Sequence, residues 1–435
     1  MGTSKSGRPP QIWSDHKLMS YPECSIIPRP EHPISRADID VDVLKVLYRL
    51  HHKGHLAYLV GGGIRDLWLG KQPKDFDIAT DAHPQEIRRI FRNSRIIGKR
   101  FRLVQVFFKG GKIVEVSTFR SRSEFDAEVD MLAPNNTFGS PVEDAQRRDL
   151  TINALFYNIA DFSILDYVGG VKDLQDGIIR VVGPPEIRFQ RDPVRMLRVL
   201  RHASRTGFQI DPTAWSAIQS YRHLIRLCSP ARVRDELLKD FRSGYCRDFF
   251  QLMLASGLLA AIFPHIGETT DGAAFSGLQP RMQAVFGTID FLTMGGLSLS
   301  EAFFWAAFLI PFLEKVTALP FQQIEPETVA KYVDESLSPL EFARGRRDEV
   351  IMRLVTVSQL VHQLGAGRRV SARLKRRLCL PEAWLLYHIL TGASQKFFED
   401  IIAQQSVKPV LPEQPPTTKR RRGRRRTHRK KVSPI

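Results

Sequence analysis

The stretch Asp75-Phe76-Asp77-Ile78-Ala79-Thr80, preceded by the turn Gly61-Gly62-Gly63-Ile64-Arg65-Asp66, decides how the whole chain is read. Residues two apart in a strand share a face, so the pattern predicts Asp75 and Asp77 as paired carboxylates, with Phe76 and Ile78 turned into a core. Two hard anionic ligands on one face suit Mg²⁺. The glycines sit between the apolar, strand-like Tyr58-Leu59-Val60 and the helical pattern Ile64–Leu69. Small residues at that junction leave backbone N–H groups open to a phosphate at a helix N-terminus. Alone, a DxD is common on solvated strand ends, and a glycine run is commonly a tight turn. Within one supersecondary unit they point together to nucleoside triphosphate chemistry.

Working outward, Ser35 opens a helical pattern with Ile39, Val43, Leu47 and Leu50 on one face. After the aspartates come a helix, Pro84–Phe91, and two alternating strands, Arg102–Phe108 and Lys112–Thr118, joined by Lys109-Gly110-Gly111. This order predicts a small mixed sheet with helices on one side. Glu115 lies on the last strand, and the residues leave two readings of it open, a solvated glutamate or a third carboxylate of the site. Lys99-Arg100-x-Arg102 is a basic turn leading into a strand, placing cations near a triphosphate or an RNA backbone. Residues 121–136 are polar and acidic and read as a loop over the substrate.

The 435 residues leave room for about two to four domains. Hydrophobic content of 43% with 25% charged residues is that of a soluble globular protein. Sixty-four Lys and Arg against 46 Asp and Glu give a net charge of +18, which points to a polyanionic partner, most simply nucleic acid. Cys24, Cys228, Cys246 and Cys379 show no metal-ligand spacing and read as free thiols, the usage of a reducing cytoplasm. The segment Met1–Pro10 has no apolar core of a secretory signal. The most apolar stretch, Ala302–Leu313, is too short to span a bilayer and predicts a buried helix.

Three further motifs carry chemistry. Ala145-Gln146-Arg147-Arg148-Asp149-Leu150-Thr151-Ile152-Asn153-Ala154 offers two guanidinium forks for a triphosphate, and an acid that could bind metal or ribose or buttress the arginines. Asp166-Tyr167-Val168-Gly169-Gly170 reads as a tight structural turn. Asp192, Arg195, Arg198 and Arg201 recur every third residue along a helical pattern, a polar ridge that periodicity alone reads as a solvated face.

Gly62, Gly63, Arg65, Asp66, Leu69 and Gly70, followed by Asp75, Asp77 and Thr80, resemble the signature of class II nucleotidyltransferases, the family of tRNA CCA-adding enzymes and bacterial poly(A) polymerases. Residues 145–154 are similar to the family's RRDxTINA motif, and residues 192–198 to its EDxxRxxR motif, with Arg191 in place of the Glu. The resemblance implies an α+β architecture: a mixed-sheet nucleotidyltransferase head followed by a mostly α-helical neck and body. It implies catalytic roles for Asp75, Asp77, Asp149 and Glu115, two Mg²⁺ on Asp75 and Asp77, and ATP as substrate. Which of Glu115 and Asp149 completes the metal site stays open. It also implies nucleotide contacts from Gly62, Gly63, Arg65, Arg147, Arg148, Asp192, Arg195, Arg198 and Arg201, with Asp192 and Arg195 reading the base.

The segment Ile96–Val106 looks like the one that separates bacterial poly(A) polymerases from CCA-adding enzymes, with Gln105 where the pattern often has His. The implied activity is template-independent addition of AMP from ATP to RNA 3′ ends in bacterial RNA processing and decay, with RNA-decay machinery as a candidate partner. The alternatives are a CCA-adding enzyme and a catalytically silent RNA-binding protein. The expected domains are an extended lead 1–34, a catalytic head 35–157, a neck 158–225, an RNA-binding body 226–408 and a basic tail 409–435. Positions 419–435 hold ten Lys and Arg and no acid, a composition for electrostatic RNA binding.

Overall fold

Alternation along the middle strands of one sheet explains both of its faces and places the site on one of them. The computed structural model describes residues 24–98, 102–121, 138–267, 278–317 and 320–406. Eight strands form the sheet: β1 (Ser25–Ile27), β2 (Ala57–Val60), β3 (Asp77–Thr80), β4 (Ser94–Ile97), β5 (Leu103–Phe107), β6 (Ile113–Thr118), β7 (Leu155–Asn158) and β8 (Ile164–Asp166). Their spatial order is β1-β8-β7-β2-β3-β6-β5-β4, and β3 and β6 are the parallel pair. Leu59, Ile78, Val104 and Val116 face the larger core, which helix α1 (Val41–His52) joins through Val43, Val46, Leu47 and Leu50. Each such side chain, fully buried, contributes about 2 kcal/mol. Tyr58, Val60 and Ala79 face the other way, into a smaller cluster with Phe119, Ala145 and Phe156.

The sequence-derived boundaries shift at several points. Ser35 caps only a short 3-10 turn, Arg36–Asp38, and α1 starts after Asp40, whose carboxylate accepts hydrogen bonds from the N–H groups of Asp42 and Val43. The sheet takes in β1, paired antiparallel with β8, so it reaches outside the expected 35–157 on both sides. The strand β4 was not expected; it pairs with β5 along residues 94–97. Lys99, Arg100 and Phe101, the acidic stretch 122–137, residues 1–23 and the tail from 407 lie outside the described residues.

Helix α2 (Gly62–Trp68) follows β2 directly, α3 (Pro84–Ile90) carries the crossover towards β6, and α4 (Pro141–Arg147) precedes the arginine motif. Beyond β8 come α5 (Gly170–Asp176), α6 (Pro185–Arg191), α7 (Val194–Thr206), α8 (Pro212–Tyr221), α9 (Pro230–Phe241) and α10 (Cys246–Ala255). The turn before α5 is held by Asp166, whose Oδ1 accepts from the N–H of Val168, Gly169 and Gly170 while Oδ2 accepts from Val171. The Asp192–Arg201 ridge is not one continuous helix. Asp192 ends α6 with φ −140° and Pro193 opens α7, because a residue before proline is driven out of helical geometry.

Farther on, the helix Glu301–Thr317 buries all of 302–313 among aromatic side chains that include Phe241 and Phe250. Among the described residues no helix is long and apolar enough to cross a membrane. All four cysteines are free.

Candidate active site

Because β3 and β6 are parallel and in register, Asp77 lies beside Glu115, and Gln105 on β5 lies beside Glu115 on its other flank. Gln105 Nε2 donates to Glu115 Oε1 at 3.0 Å. Ser117, two residues on, shares that face. Asp77, Glu115 and Ser117 floor a cleft of about 270 Å³ whose lining also includes Arg120, Arg147 and Arg148. A larger apolar cavity of about 870 Å³ lies away from these carboxylates, between α1 and the end of β5.

The strand begins at Asp77, so Asp75 and Phe76 precede it rather than alternate within it. Asp75 is exposed; Phe76 packs against the larger core and lies over Gly63, where a Cβ would come within 3.3 Å of its ring. Asp77 is itself solvent-exposed, yet it sits on a floor walled by protein. That surrounding mass, with the charges of Glu115 and Asp75, raises its carboxyl above the ordinary range, and Arg148 opposes the shift.

The described residues contain no group of three or more His, Cys, Asp or Glu arranged to hold a metal ion. The pair Asp77 and Glu115 nevertheless fits a divalent cation. Its donors are all carboxylate oxygens, and the mutual repulsion that raises Asp77 is what a bound cation would relieve.

The arginine motif is held from behind by the neck. Arg188 and Arg195 donate to the carbonyls of the loop, Arg188 to Gln146 and Arg195 to Arg147 and Arg148, at 3.4 and 3.3 Å for the latter two. Arg198 Nη2 lies 2.7 Å from Asp149 Oδ2. Burial alone would raise the Asp149 carboxyl, but Arg198, His202 and Arg195 outweigh it and hold it far below the usual carboxylate range. Asp149 is therefore an anion paired with Arg198 of the neck, whereas Glu115 is the carboxylate next to Asp77.

Arg148 is fixed by Asp144, at 2.9 Å from Nη2, by the Asn153 carbonyl at 3.2 Å, and by stacking over Phe156. Arg120 also lines the cleft; burial and its neighbours Arg147 and Arg148 push its guanidinium down to about 10. Three cations thus crowd one wall facing two carboxylates, an arrangement that attracts a polyphosphate and leaves a metal position opposite it.

Among the expected nucleotide contacts, Arg65 and Arg201 are turned into the protein. Arg65 is buried beneath the glycine turn, donating to Asn153 Oδ1 at 2.7 Å and to Asp66 at 2.8 Å, with Nη1 3.1 Å from His202 Nδ1. In place of a nucleotide-facing position, Arg201 points into the joint between α7 and α9. Its Nε and Nη2 bond Asp240 at 2.6 and 2.8 Å, and its Nη1 and Nη2 bond Glu236. Four of its five N–H donors are thereby spent inside the protein.

Gly61 has φ +76°, and Gly62 and Gly63 open α2. A Cβ on Gly61 would lie 3.5 Å from both Asp77 Oδ2 and Arg148 Nη1, so the turn lies against the carboxylate and the arginine. Asp192 is not in the cleft lining; it connects to it through Arg195, whose Nε is 3.6 Å away.

Sequence reading gave no role to Gln105 towards Glu115, nor to Ser117, Arg120, Asp144, Asn153, His202 or Arg232. Strand period could have found Ser117, and helical spacing to Arg148 could have found Asp144. Asn153 and Gln105 meet it through neighbours five and ten residues away, and His202 and Arg232 through long-range packing.

Residues 57–180 match the family described as "Poly A polymerase head domain", and residues 207–269 match "Probable RNA and SrmB- binding site of polymerase A". The chain is 39% identical over 389 residues to Poly(A) polymerase I of Escherichia coli O6:H1, covering 86% of this chain and 82% of that one. It is 32% identical over 332 residues to the CCA-adding enzyme of Bacillus subtilis, covering 74% and 78%. The solved Bacillus stearothermophilus CCA-adding enzyme in complex with CTP shares the fold, with a TM-score of 0.59 at 24% identity over 83% of this chain and 80% of that one.

Proposed function

The chain belongs to the poly(A) polymerase family, and from that membership we propose how its cleft transfers AMP from ATP to RNA 3′ ends with release of pyrophosphate. The observation that carries the reading is the facing of Asp77 and Glu115, adjacent in register, by Arg120, Arg147 and Arg148 across one cleft.

Asp77 and Glu115, the carboxylate pair of the cleft, would hold the Mg²⁺ ions, with Asp75 the further ligand that the family signature implies. When bound, these ions lower the pKa of the primer 3′-hydroxyl and neutralise charge on the leaving pyrophosphate. Arg147 and Arg148 orient and neutralise the triphosphate, and the backbone at Gly62 and Gly63 admits it close to the start of α2. Asp149, Arg195 and Arg198 keep the two arginines in place, so transition-state charge meets donors that need not reorganise. Asp192 and Arg195 read the base edge, an acceptor and a donor in fixed geometry. Arg65 and Arg201 act one layer back, locking the glycine turn and the neck helix.

Regions 226–406 and the basic tail supply phosphate contacts to RNA that carry no sequence information. A cytoplasmic location and contact with RNA-decay machinery fit this activity. The CCA-adding enzyme of Bacillus subtilis is more distant in identity than Poly(A) polymerase I of Escherichia coli O6:H1.

The test is Asp77→Asn in primer extension with Mg²⁺ and ATP, beside filter binding of the same RNA. Incorporation falls by at least about a thousandfold while RNA affinity stays within about twofold. A variant that still extends the primer at a comparable rate refutes the assignment of the carboxylates.

A further inference from the structure

The helical body holds a second polar cavity, of about 270 Å³, which shares no residue with the cleft. It lies between the starts of two helices, Glu301–Thr317 and Arg344–Gly365, and its lining includes Glu301, Trp305, Phe342, Arg346, Glu349 and Val350. Trp305 is fully buried, and its indole Nε1 has no hydrogen-bond partner. A buried N–H without an acceptor is unfavourable, and a bound molecule that brings an acceptor relieves it. Phe342 meets the Trp305 ring edge to face, with centroids 5.1 Å apart at 85°, and Arg234 of α9 lies over the Phe342 ring at 5.1 Å, so the aromatic walls are held in place. Glu301 is paired with Arg346, whereas the exposed Glu349 has no ion-pair partner among the described residues.

These groups select by chemistry. Two carboxylates repel an anion from the interior, and a bare cation would leave the indole N–H unanswered. What satisfies all of them is a flat, uncharged ring with an acceptor for Trp305 and an amino donor for Glu349. Adenine is such a ring, its N6 amino group donating beside the acceptor N7. A phosphate attached to the base is met at the rim. There Arg344 and Arg346 are exposed in the first turn of a 22-residue helix, whose N-terminal dipole adds to their charge.

We propose that this cavity is a second nucleobase site, taking adenine or another amino-bearing base, either of an RNA strand or of a free nucleoside or nucleotide. Binding here does not depend on the transfer of AMP in the cleft, so a failure of either leaves the other standing.

The experiment labels the full-length chain with 5-fluorotryptophan and follows its five tryptophan signals by ¹⁹F NMR, without Mg²⁺ or ATP, as adenosine, uridine or a short oligo(A) is added. The Trp305 signal is the one lost in Trp305→Phe; should that variant not fold, it is the one left after single replacements of Trp13, Trp68, Trp215 and Trp384 assign the rest. Adenosine shifts the Trp305 signal saturably, and uridine binds at least about tenfold more weakly. Glu349→Met, which keeps the length of an exposed side chain and removes its acceptors, weakens adenosine binding about tenfold. A shift with oligo(A) assigns the site to an RNA base, and a shift with adenosine but not with oligo(A) assigns it to a free nucleoside or nucleotide; both support the proposal. No shift with either, an equal response to uridine, or a response that Glu349→Met leaves undiminished overturns it.

Discussion

Replacing Arg201 by Met separates a structural role from a nucleotide-binding one. Arg201 is 8% exposed and sits between Asp240, 1% exposed, and Glu236, 11% exposed. Met preserves most of the aliphatic stem, so the cavity term is small and the loss is electrostatic. Removing one partner of a buried ion cluster leaves uncompensated charge, at a cost of about 3–5 kcal/mol. The sign of its pH dependence follows from the carboxyls. Burial already raises Asp240 against the opposing pull of Arg201, and without Arg201 it rises further. A carboxyl raised in the folded state carries its cost above its folded pKa and is relieved as pH falls through it, so the variant loses more stability at pH 7.5 than at pH 5.

Urea unfolding followed by circular dichroism reads the stability, and primer extension below the onset of unfolding reads the KM for ATP. Neutralising the whole cluster, with Arg201→Met, Glu236→Gln and Asp240→Asn together, recovers more than half of the loss. Stability within about 1 kcal/mol of wild type, accompanied by a tenfold rise in KM, would refute the reasoning and return Arg201 to the nucleotide.

Gly170→Ala places a Cβ 2.2 Å from the Thr151 carbonyl oxygen, a backbone atom that cannot swing aside; denaturant unfolding should show a loss of about 2 kcal/mol or more, and a neutral result would mean that the α5 turn relaxes freely. Asp290 caps α10 from the helix Gln279–Met294, accepting from the N–H groups of Cys246 and Arg247. Burial, only partly offset by those two bonds, pushes its carboxyl up to about 6. The folded state therefore binds this proton more tightly than the unfolded state, and stability lost above pH 6 returns as pH falls. Relative to Asp290→Asn, the wild type gains about 1 kcal/mol between pH 7 and pH 5, and parallel curves would contradict it. Truncation after Leu411 removes the ten cations of 419–435; RNA binding weakens and its dependence on log salt flattens, whereas an unchanged slope would exclude tail contacts with phosphate.

Much of the site was legible because its spacing is local. The alternating pattern of Lys112–Thr118 put Glu115 on a strand, and the apolar residues 302–313 announced a buried helix from composition alone. The helical face of Ile39, Val43, Leu47 and Leu50 was legible too, although the helix starts later, since Asp40 outcompetes Ser35 as its cap.

What could not be read is what depends on non-local partners. Nothing near Arg201 in sequence tells that Glu236 and Asp240 will consume its donors, and the same three-residue spacing leaves Arg195 and Arg198 against the arginine loop. Arg65 shows the same effect: its neighbours mark it for a phosphate, but Asn153 and His202 turn it inward. Strand β1 escaped notice because three residues carry too little pattern and its partner β8 lies far along the chain.

The measurement that tests the central claim most directly is primer extension on a generic RNA and on a tRNA lacking its terminus, with ATP alone, CTP alone and both together in Mg²⁺. ATP alone should yield long homopolymeric tails on the generic RNA, and adding CTP should not stop them. Addition that ends after CCA on the tRNA, with no tails on the generic RNA, would contradict the account and place the chain with the tRNA-repairing members of its family.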